Sequence, residues 1–205
     1  MTEQIAAPES DDGVDRIDRG LLLRIAQERD VAAMKSLYER FDPKLRRFMR
    51  RLTSDRDLID EAYNDVMVIV WKKAGQYAGN SKVSSWIYTI AYRSCLQLIK
   101  RNKRRDTMFE LVDDDELASV KDGSQPGLEG NAELAAAVRA LSSKQRIVIE
   151  LCYFEGYSLQ EISQIVNCPL NTVKTRLHHA RKRIRELLEE ARQSLESSSG
   201  EGGLL

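Results

Sequence analysis

The chain has few of the residues that hold disulfide-rich or metal-binding domains together. Its 205 residues include three cysteines and two histidines. Cys95, Cys152 and Cys168 form no C-x-x-C pair and have no histidine at a metal-ligand spacing, which argues against a disulfide framework and a structural zinc. His178 and His179 are adjacent on a predicted helix, so they point in different directions and cannot chelate one metal. We expect no metal and no cofactor.

Long apolar runs and an excess of one charge are also missing. The longest purely apolar run, Val66 to Trp71, is far too short to span a bilayer, so we expect no membrane insertion. The start MTEQIAAPESDDG is acidic and has no apolar h-region, so it is not a signal peptide. We therefore expect a soluble, cytoplasmic protein. Its 32 basic and 32 acidic residues cancel, so only local segregation of charge can indicate a nucleic-acid partner.

Apolar residues recur at helical spacing along most of the chain, and no β pattern of any length is present. The predicted fold is all-α, with two small helical domains joined by a flexible acidic linker. Residues 106–133 contain nine acids against one cation, together with glycines and Pro126, and this composition indicates a flexible linker. The predicted boundaries are a disordered acidic N-terminus at 1–18, a helical domain at 19–105, the linker at 106–130, a second domain at 131–190 and a disordered tail at 191–205.

Local signals mark where several helices begin. Asp30 is a plausible N-cap, and Pro43 suits the first position of a further helix. Two more helices are predicted at about 57–73 and 85–103. In the second half, Ser142 and Gln145 form a capping box before a helix at about 144–154, and Gly156 suits its C-terminal turn.

The clearest motif runs from Ser158 to Leu188. Ser158 and Glu161 form a capping box, Pro169 breaks the first helix, and Asn171 is a good N-cap for the second. Two short helices joined by such a turn predict a helix-turn-helix, whose second helix reads the major groove of DNA. The candidate DNA contacts on this helix are Asn171, Thr172, Lys174, Thr175, His178, His179, Arg181 and Lys182.

The charge of the second helix favours DNA over plain solvation. An ordinary helical hairpin with a solvated face would mix both signs of charge. Six cations and no acid fall between Lys174 and Arg185. We therefore predict DNA binding for this segment.

A second basic segment lies at 84–105. Trp86, Thr89 and Arg93 share one face at i, i+3, i+7 spacing, Tyr88 and Tyr92 are near it, and the helix ends in a run of cations. Aromatic rings beside cations suit single-stranded nucleic acid, because rings stack on bases and cations bind phosphates. Without further context, packing of Trp86 and the tyrosines in the core or at its rim is the better interpretation.

The two halves together resemble the small, extracytoplasmic-function (group IV) type of the sigma-70 family of RNA polymerase sigma factors. QRIVIEL (145–151), EGYSLQEIS (155–163) and TVKTRLHHARKRIRELL (172–188) resemble region 4. DLIDEAYNDVMVIVWK (57–72) and SSWIYTIAYRSCLQLIKRNKRR (84–105) resemble the polymerase-binding and promoter-melting helices of region 2. The resemblance covers roughly residues 20–190. Three positions depart from the family pattern: Asn64 stands where Gln is usual, Arg93 where Asn is usual and Asn171 where Gly is usual.

The resemblance implies a promoter-specificity subunit without catalysis of its own. Core RNA polymerase and promoter DNA are the implied partners, with an anti-sigma factor as regulator. The second domain would recognise the −35 element through its recognition helix. The residues implied in polymerase binding are Asp60, Glu61, Asn64 and Asp65. Those implied in −10 element recognition and melting are Tyr77, Asn80, Trp86, Thr89, Arg93, Lys100 and Arg101.

Two other functions compete with this interpretation. A free-standing helix-turn-helix repressor or activator would bind an operator as a dimer and would need an effector or dimerisation domain. A helical protein-interaction module would use its basic face to bind an acidic partner. The basic, aromatic helix at 84–105 argues against the repressor, and DNA binding at physiological salt would argue against the interaction module.

Overall fold

Residues 11–106 and 132–200 are described by a computed structural model, and these two ranges contain eight α-helices and no strand. A 3-10 turn at Ala74–Gln76 follows the third helix, and a π-helical turn at Glu150–Phe154 follows the sixth. The helices are α1 Asp11–Glu28, α2 Val31–Met49, α3 Arg56–Lys73, α4 Val83–Asp106, α5 Ala132–Arg139, α6 Ser143–Ile149, α7 Leu159–Ile165 and α8 Leu170–Gly200. The all-α prediction is confirmed. The predicted linker lies mostly outside the described residues.

Helices α1–α4 pack into the first unit. Their buried apolar side chains recur at helical spacing. Leu37, Leu45 and Phe48 of α2, Val66 of α3 and Ile87 of α4 are fully buried. Burying each such side chain stabilises the fold by about 1.5–3 kcal/mol before the entropy of ordering is subtracted. This packing fixes which faces of α3 and α4 point outward.

Helix α2 corrects one predicted boundary. Asp30 caps it as expected, accepting hydrogen bonds from the N–H groups of Ala32 (2.8 Å) and Ala33 (3.0 Å). Pro43, however, lies inside α2 and does not begin a new helix. Phe41 and Leu45 are buried on either side of it, so one apolar face continues through the proline. Packing of that face outweighs the hydrogen bond that the proline cannot donate.

The N-terminal boundary is also corrected. The segment predicted to be disordered, 1–18, lies within α1 from Asp11 onward, and residues 1–10 lie outside the described part. Asp15 accepts a hydrogen bond from the backbone N–H of Val83 (2.9 Å), and buried Asp18 pairs with Arg40 at 2.8 Å. Burial raises the pKa of Asp18 despite this pairing. The acids that suggested disorder are held by partners distant in sequence.

Helices α5–α8 form the second unit. Both predicted capping boxes are present, at Ser142 with Gln145 and at Ser158 with Glu161. Gly156 has a positive φ of 72°, which agrees with the expected turn there. The single helix predicted at 144–154 is instead α6 followed by the π-helical turn.

The two ends of α8 differ from the prediction. Asn171 lies inside its first turn and does not cap it, because the N–H groups of Thr172 and Val173 bond to the carbonyl of Pro169. The tail predicted to be disordered, 191–205, is helical as far as Gly200, and residues 201–205 lie outside the described part. Ion pairs such as Arg183–Glu186 (3.4 Å), one helical turn apart, support the helix beyond the core.

The two units pack directly against each other. Helix α7 lies against α4, and the π-helical turn meets the end of α2. Tyr88 of α4 and Tyr157, just before α7, stack edge to face with their centroids 5.3 Å apart. Residues 107–131, between the units, lie outside the described part.

Candidate nucleic-acid and polymerase interfaces

The predicted recognition helix is the N-terminal part of α8, and its polar face points away from the protein. Val173, Leu177 and Ala180 are buried against the rest of the second unit. That anchoring leaves the intervening positions in solvent, where they are free to enter a groove. The exposed residues of this face are Asn171, Lys174, Thr175, His178, His179 and Lys182, and Thr172 is half-buried.

Two predicted DNA contacts have partners within the protein. The guanidinium of Arg181 lies 5.5 Å from the ring centroid of Tyr153, so it faces back towards the π-helical turn. Lys182 pairs loosely with Glu186 at 3.9 Å. Arg176, which the sequence did not single out, donates to the Cys168 thiol at 3.7 Å in the turn. Nearer the helix start, Lys174 is exposed, and the Thr175 hydroxyl donates to the carbonyl of Asn171 at 2.9 Å.

The loop between α3 and α4 holds the predicted base-capturing residues. Tyr77 and Trp86 are half-buried and pack against each other with centroids 5.6 Å apart. The Tyr77 hydroxyl donates to the carbonyl of Ser81, which closes the loop upon itself. Asn80 stands exposed at its tip. The structure thus brings Tyr77, Asn80 and Trp86 into one surface.

Sequence reasoning missed the side chains that hold this loop. Arg19 of α1 donates to the carbonyls of Gly79 (3.4 Å) and Ser81 (3.0 Å) and lies 5.6 Å from the Tyr77 ring centroid. Asp15 bonds the first N–H of α4, at Val83. These contacts join residues 58 to 68 positions apart, so no local signal could have revealed them.

The rest of α4 is divided between core, solvent and the second unit. Arg93 is exposed, and the Thr89 hydroxyl donates to the carbonyl of Ser85 at 2.8 Å. Tyr88, expected near the displayed face, is buried beneath the second unit, and its hydroxyl donates to Glu155 at 2.7 Å. Burial raises the pKa values of Tyr88 and Tyr92, so both phenols stay neutral.

The predicted polymerase-binding residues form an exposed acidic face on α3. Asp60 pairs with Arg46 of α2. Glu61 pairs with Arg101 of α4 at 2.6 Å. This ion pair joins a predicted polymerase-binding residue to a predicted DNA-binding residue. Asn64 and Asp65 are exposed on the same face, next to Val68, which is 48% exposed. Lys100 is also exposed, one residue before Arg101.

The described residues contain neither a candidate metal site nor a candidate membrane span. No cluster of three histidine, cysteine or acidic side chains there could hold a metal ion. Likewise, none of the helices within 11–106 and 132–200 combines the length and apolar character that crossing a bilayer requires.

Comparison with known proteins links both units to transcription. Residues 37–105 match the family model for sigma-70 region 2, and residues 131–184 match that for sigma-70, region 4. The ECF RNA polymerase sigma factor RpoE of Cereibacter sphaeroides is 30% identical over 180 residues, which cover 85% of this chain and 97% of that protein. The ECF sigma factor SigK of Mycobacterium sp. (strain KMS) is 27% identical over 166 residues, covering 78% of this chain and 85% of that protein.

Solved structures agree with the fold. The sigma factor RpoE from Bartonella quintana, in complex with the anti-sigma factor NepR, superposes with a TM-score of 0.55 at 26% identity and covers 72% of this chain and 91% of its own. CnrH, in complex with the cytosolic domain of CnrY, gives a TM-score of 0.60 at 20% identity, covering 85% and 98%, and shows the fold alone. Taken with the two family models and the 30% identical relative, these findings establish that the chain belongs to the extracytoplasmic-function sigma factors of the sigma-70 family, which direct RNA polymerase to promoters.

Proposed function

We propose that the two units divide promoter recognition between them. The first unit, 19–105, binds core polymerase through α3 and takes the −10 element on the loop and outer face of α4. The second unit, 131–190, reads the −35 element with the start of α8, while 106–130 connects the two. The observation that carries this proposal is the outward-facing, acid-free start of α8, whose apolar positions are buried while Lys174, Thr175 and His178 remain in solvent.

The division assigns a chemical task to each surface. Bases read in the major groove need donors and acceptors near the helix start, which Lys174 and Thr175 supply. A flipped base costs a few kcal/mol to extrude, and stacking returns about 1–3 kcal/mol per base. Tyr77 and Trp86 offer the rings, while Asn80 and Arg93 offer the hydrogen-bond donors. Sigma factors regulate transcription without catalysing a reaction, and we assign no catalytic residue to this chain.

The test is reconstitution with core polymerase on a genomic fragment library, followed by sequencing of transcript starts. We expect starts that share two sequence elements and that vanish when the chain is omitted. The free chain should bind duplex DNA weakly, since its acids offset its cations. Tight operator binding by a dimer of the chain alone, without polymerase, would favour the repressor instead.

An anti-sigma partner follows from an apolar groove in the second unit and from the solved relative that is bound to such a factor. The groove has a volume of about 600 Å³ and lies between α5, α6 and α8. Leu134, Tyr153 and Leu188 line it, and Arg181 and Arg185 flank it. These features suit an amphipathic helix with acidic flanks. A Leu188→Asp variant should lose an anti-sigma protein that co-purifies with the tagged wild-type chain.

A further inference from the structure

Two side chains of α1 bind the loop before α4 and the first residue of α4. The Arg19 guanidinium donates to the carbonyl of Gly79 at 3.4 Å and to that of Ser81 at 3.0 Å. Asp15 accepts a hydrogen bond from the N–H of Val83, where α4 begins, at 2.9 Å. Asp15 also pairs with Arg19, Oδ2 to Nε, at 2.5 Å. We call Asp15 and Arg19 the α1 clamp.

Asp15 supplies α4 with an acceptor that the residue before the helix does not provide. The first N–H groups of an α-helix have no partner within the helix, and an N-cap side chain commonly bonds one of them. The residue before α4 is Lys82, whose side chain has donors and no acceptor. The carboxylate of Asp15 takes this place and brings a negative charge to the positive end of the helix dipole. The start of α4 is therefore fixed to α1.

Arg19 fixes the direction in which Asn80 points. The two carbonyls that Arg19 binds belong to the residues on either side of Asn80, which is exposed at the tip of the loop. One of these residues, Gly79, has a positive φ of 75°, and a glycine enters and leaves this conformation easily. The contacts from Arg19 restrict that freedom, so the amide of Asn80 is already oriented in the free protein.

The arrangement depends on the shape of the guanidinium and on helical spacing. A guanidinium presents its donors in a rigid planar fork, which lets one side chain reach two carbonyls. Arg19 also lies 5.6 Å from the Tyr77 ring centroid, and the Tyr77 hydroxyl donates to the same carbonyl of Ser81. Asp15 lies four residues before Arg19, so both side chains share one face of α1. Arg16 is exposed and lies about 100° further around the helix.

The α1 clamp lies outside the segment that matches the family model. The match to sigma-70 region 2 begins at residue 37, and α1 ends at Glu28. If the clamp only stabilised the fold, its loss would weaken all promoters alike. If it positions Asn80, its loss changes which base is accepted, because small displacements of a contacting group have large effects on discrimination.

We propose that Asp15 and Arg19 are positioning residues for −10 recognition: they keep the loop in one shape in the free protein and thereby narrow the choice of base that it accepts. This inference rests on the proposed role of the loop in capturing a base. Because the loop is ordered in advance, binding does not have to supply that order. A loop released from α1 accepts competing bases more evenly.

The first test measures base preference with Arg19→Lys. Lysine keeps the positive charge, but its compact ammonium lacks the fork that spans two carbonyls. Reconstituted transcription from a promoter library with a randomised −10 element gives the preference at each position. We expect this preference to fall about tenfold at the position where Asn80→Ala also loses it, while the −35 preference is unchanged. Arg16→Lys is the control and should keep every preference of the wild-type chain.

A double variant shows whether Arg19 acts through Asn80. Adding Arg19→Lys to Asn80→Ala should cause little further loss of preference, because the side chain that Arg19 positions is already gone. Losses that multiply in the double variant, or a wild-type preference in Arg19→Lys alone, would overturn the proposal.

The second test reads the loop itself and does not depend on transcription. Asp15→Asn keeps an oxygen that can accept from Val83 and removes the charge that pairs with Arg19. Hydrogen exchange of the full chain, followed by mass spectrometry, should be about tenfold faster across 77–83 in Asp15→Asn and in Arg19→Lys, while peptides from α2 exchange as in the wild type. Unchanged exchange in the loop, or a general rise across the first unit, would contradict the clamp. If the wild-type chain shows no base preference within the −10 element, the proposed function fails instead, so the two failures are distinguishable.

Discussion

Each exposed cation of the recognition helix sits at a different distance from the helix start, and this predicts different consequences of mutation. Lys174 lies in the first turns, where base contacts concentrate, and Lys182 lies two turns further along. Lys174→Ala should cost about 1–3 kcal/mol of promoter binding and alter preference at one position of the −35 element. Lys182→Ala should weaken all promoters alike and flatten the salt dependence. Run-off transcription on promoters with single substitutions separates the two, and equal, sequence-independent losses would refute these roles.

On α3, the pairing of neighbouring residues decides which alanine variants are informative. Asn64 and Asp65 are exposed, whereas Asp60 and Glu61 are paired with Arg46 and Arg101. Asn64→Ala and Asp65→Ala should reduce co-purification with core polymerase while the free energy of unfolding changes by less than about 0.5 kcal/mol. Glu39→Ala, on an exposed face of α2, is the control for lost polar surface. A large drop in Tm would mean that this face of α3 is packed.

The exposure of a single residue could be predicted where helical periodicity alone determines it. The buried stripe of α8 and the outward positions of Lys174, Thr175 and His178 follow from spacing alone. Tyr88 and Arg181 could not be placed in this way. Tyr88 is covered by the second unit, and Arg181 turns back towards Tyr153. Both residues contact other segments of the chain, and the sequence around them does not reveal those contacts.

At the level of elements, helix starts with a side-chain cap were predicted well and boundaries set by packing were not. Asp30, Ser142 and Ser158 cap as expected because an N-cap satisfies backbone groups within its own turn. Pro43 does not begin a helix as predicted, because the apolar face of α2 continues past it. The N-terminal segment is helical from Asp11 although disorder was predicted, because its acids bond to residues of other helices.

The loop before α4 gives a prediction at this scale. Arg19 bonds two of its carbonyls, and Asp15 bonds the first N–H of α4. Arg19→Ala should loosen the loop and reduce transcription from duplex promoters severalfold, because Tyr77 and Asn80 are no longer held in place. A template with a pre-opened bubble should recover part of the loss, since unpairing is no longer required. Arg16→Ala, on the exposed part of α1, is the control, and equal losses on both templates would show a role other than base capture.

For the whole molecule, the existence of two helical units follows from the sequence, but their packing does not. The acidic stretch before residue 133 separates two sets of helical patterns, each with its own apolar faces. The contact between the units includes the ion pairs Arg51–Glu150 and Arg47–Glu155, whose residues belong to ordinary helical segments in sequence. A pattern of isolated charges does not reveal that Arg51 and Glu150 are buried together.

Chain length sets a last constraint on the proposed division of promoter recognition, because elements centred at −10 and −35 lie about 25 bp, or roughly 85 Å of straight duplex, apart. The 25 residues from 107 to 131 span at most about 90 Å when fully extended, at 3.3–3.6 Å per residue. Deleting 111–125 leaves ten residues and a reach of roughly 35 Å. The shortened chain should still bind core polymerase through α3, yet lose the contribution of the −35 element to transcription. Footprinting of the −35 region and transcription from promoters with and without that element measure the loss. Replacing 111–125 with glycine and serine at equal length keeps the reach and should restore use of the −35 element. If the shortened chain protects that element as the full chain does, the two units do not need the separation that the promoter implies.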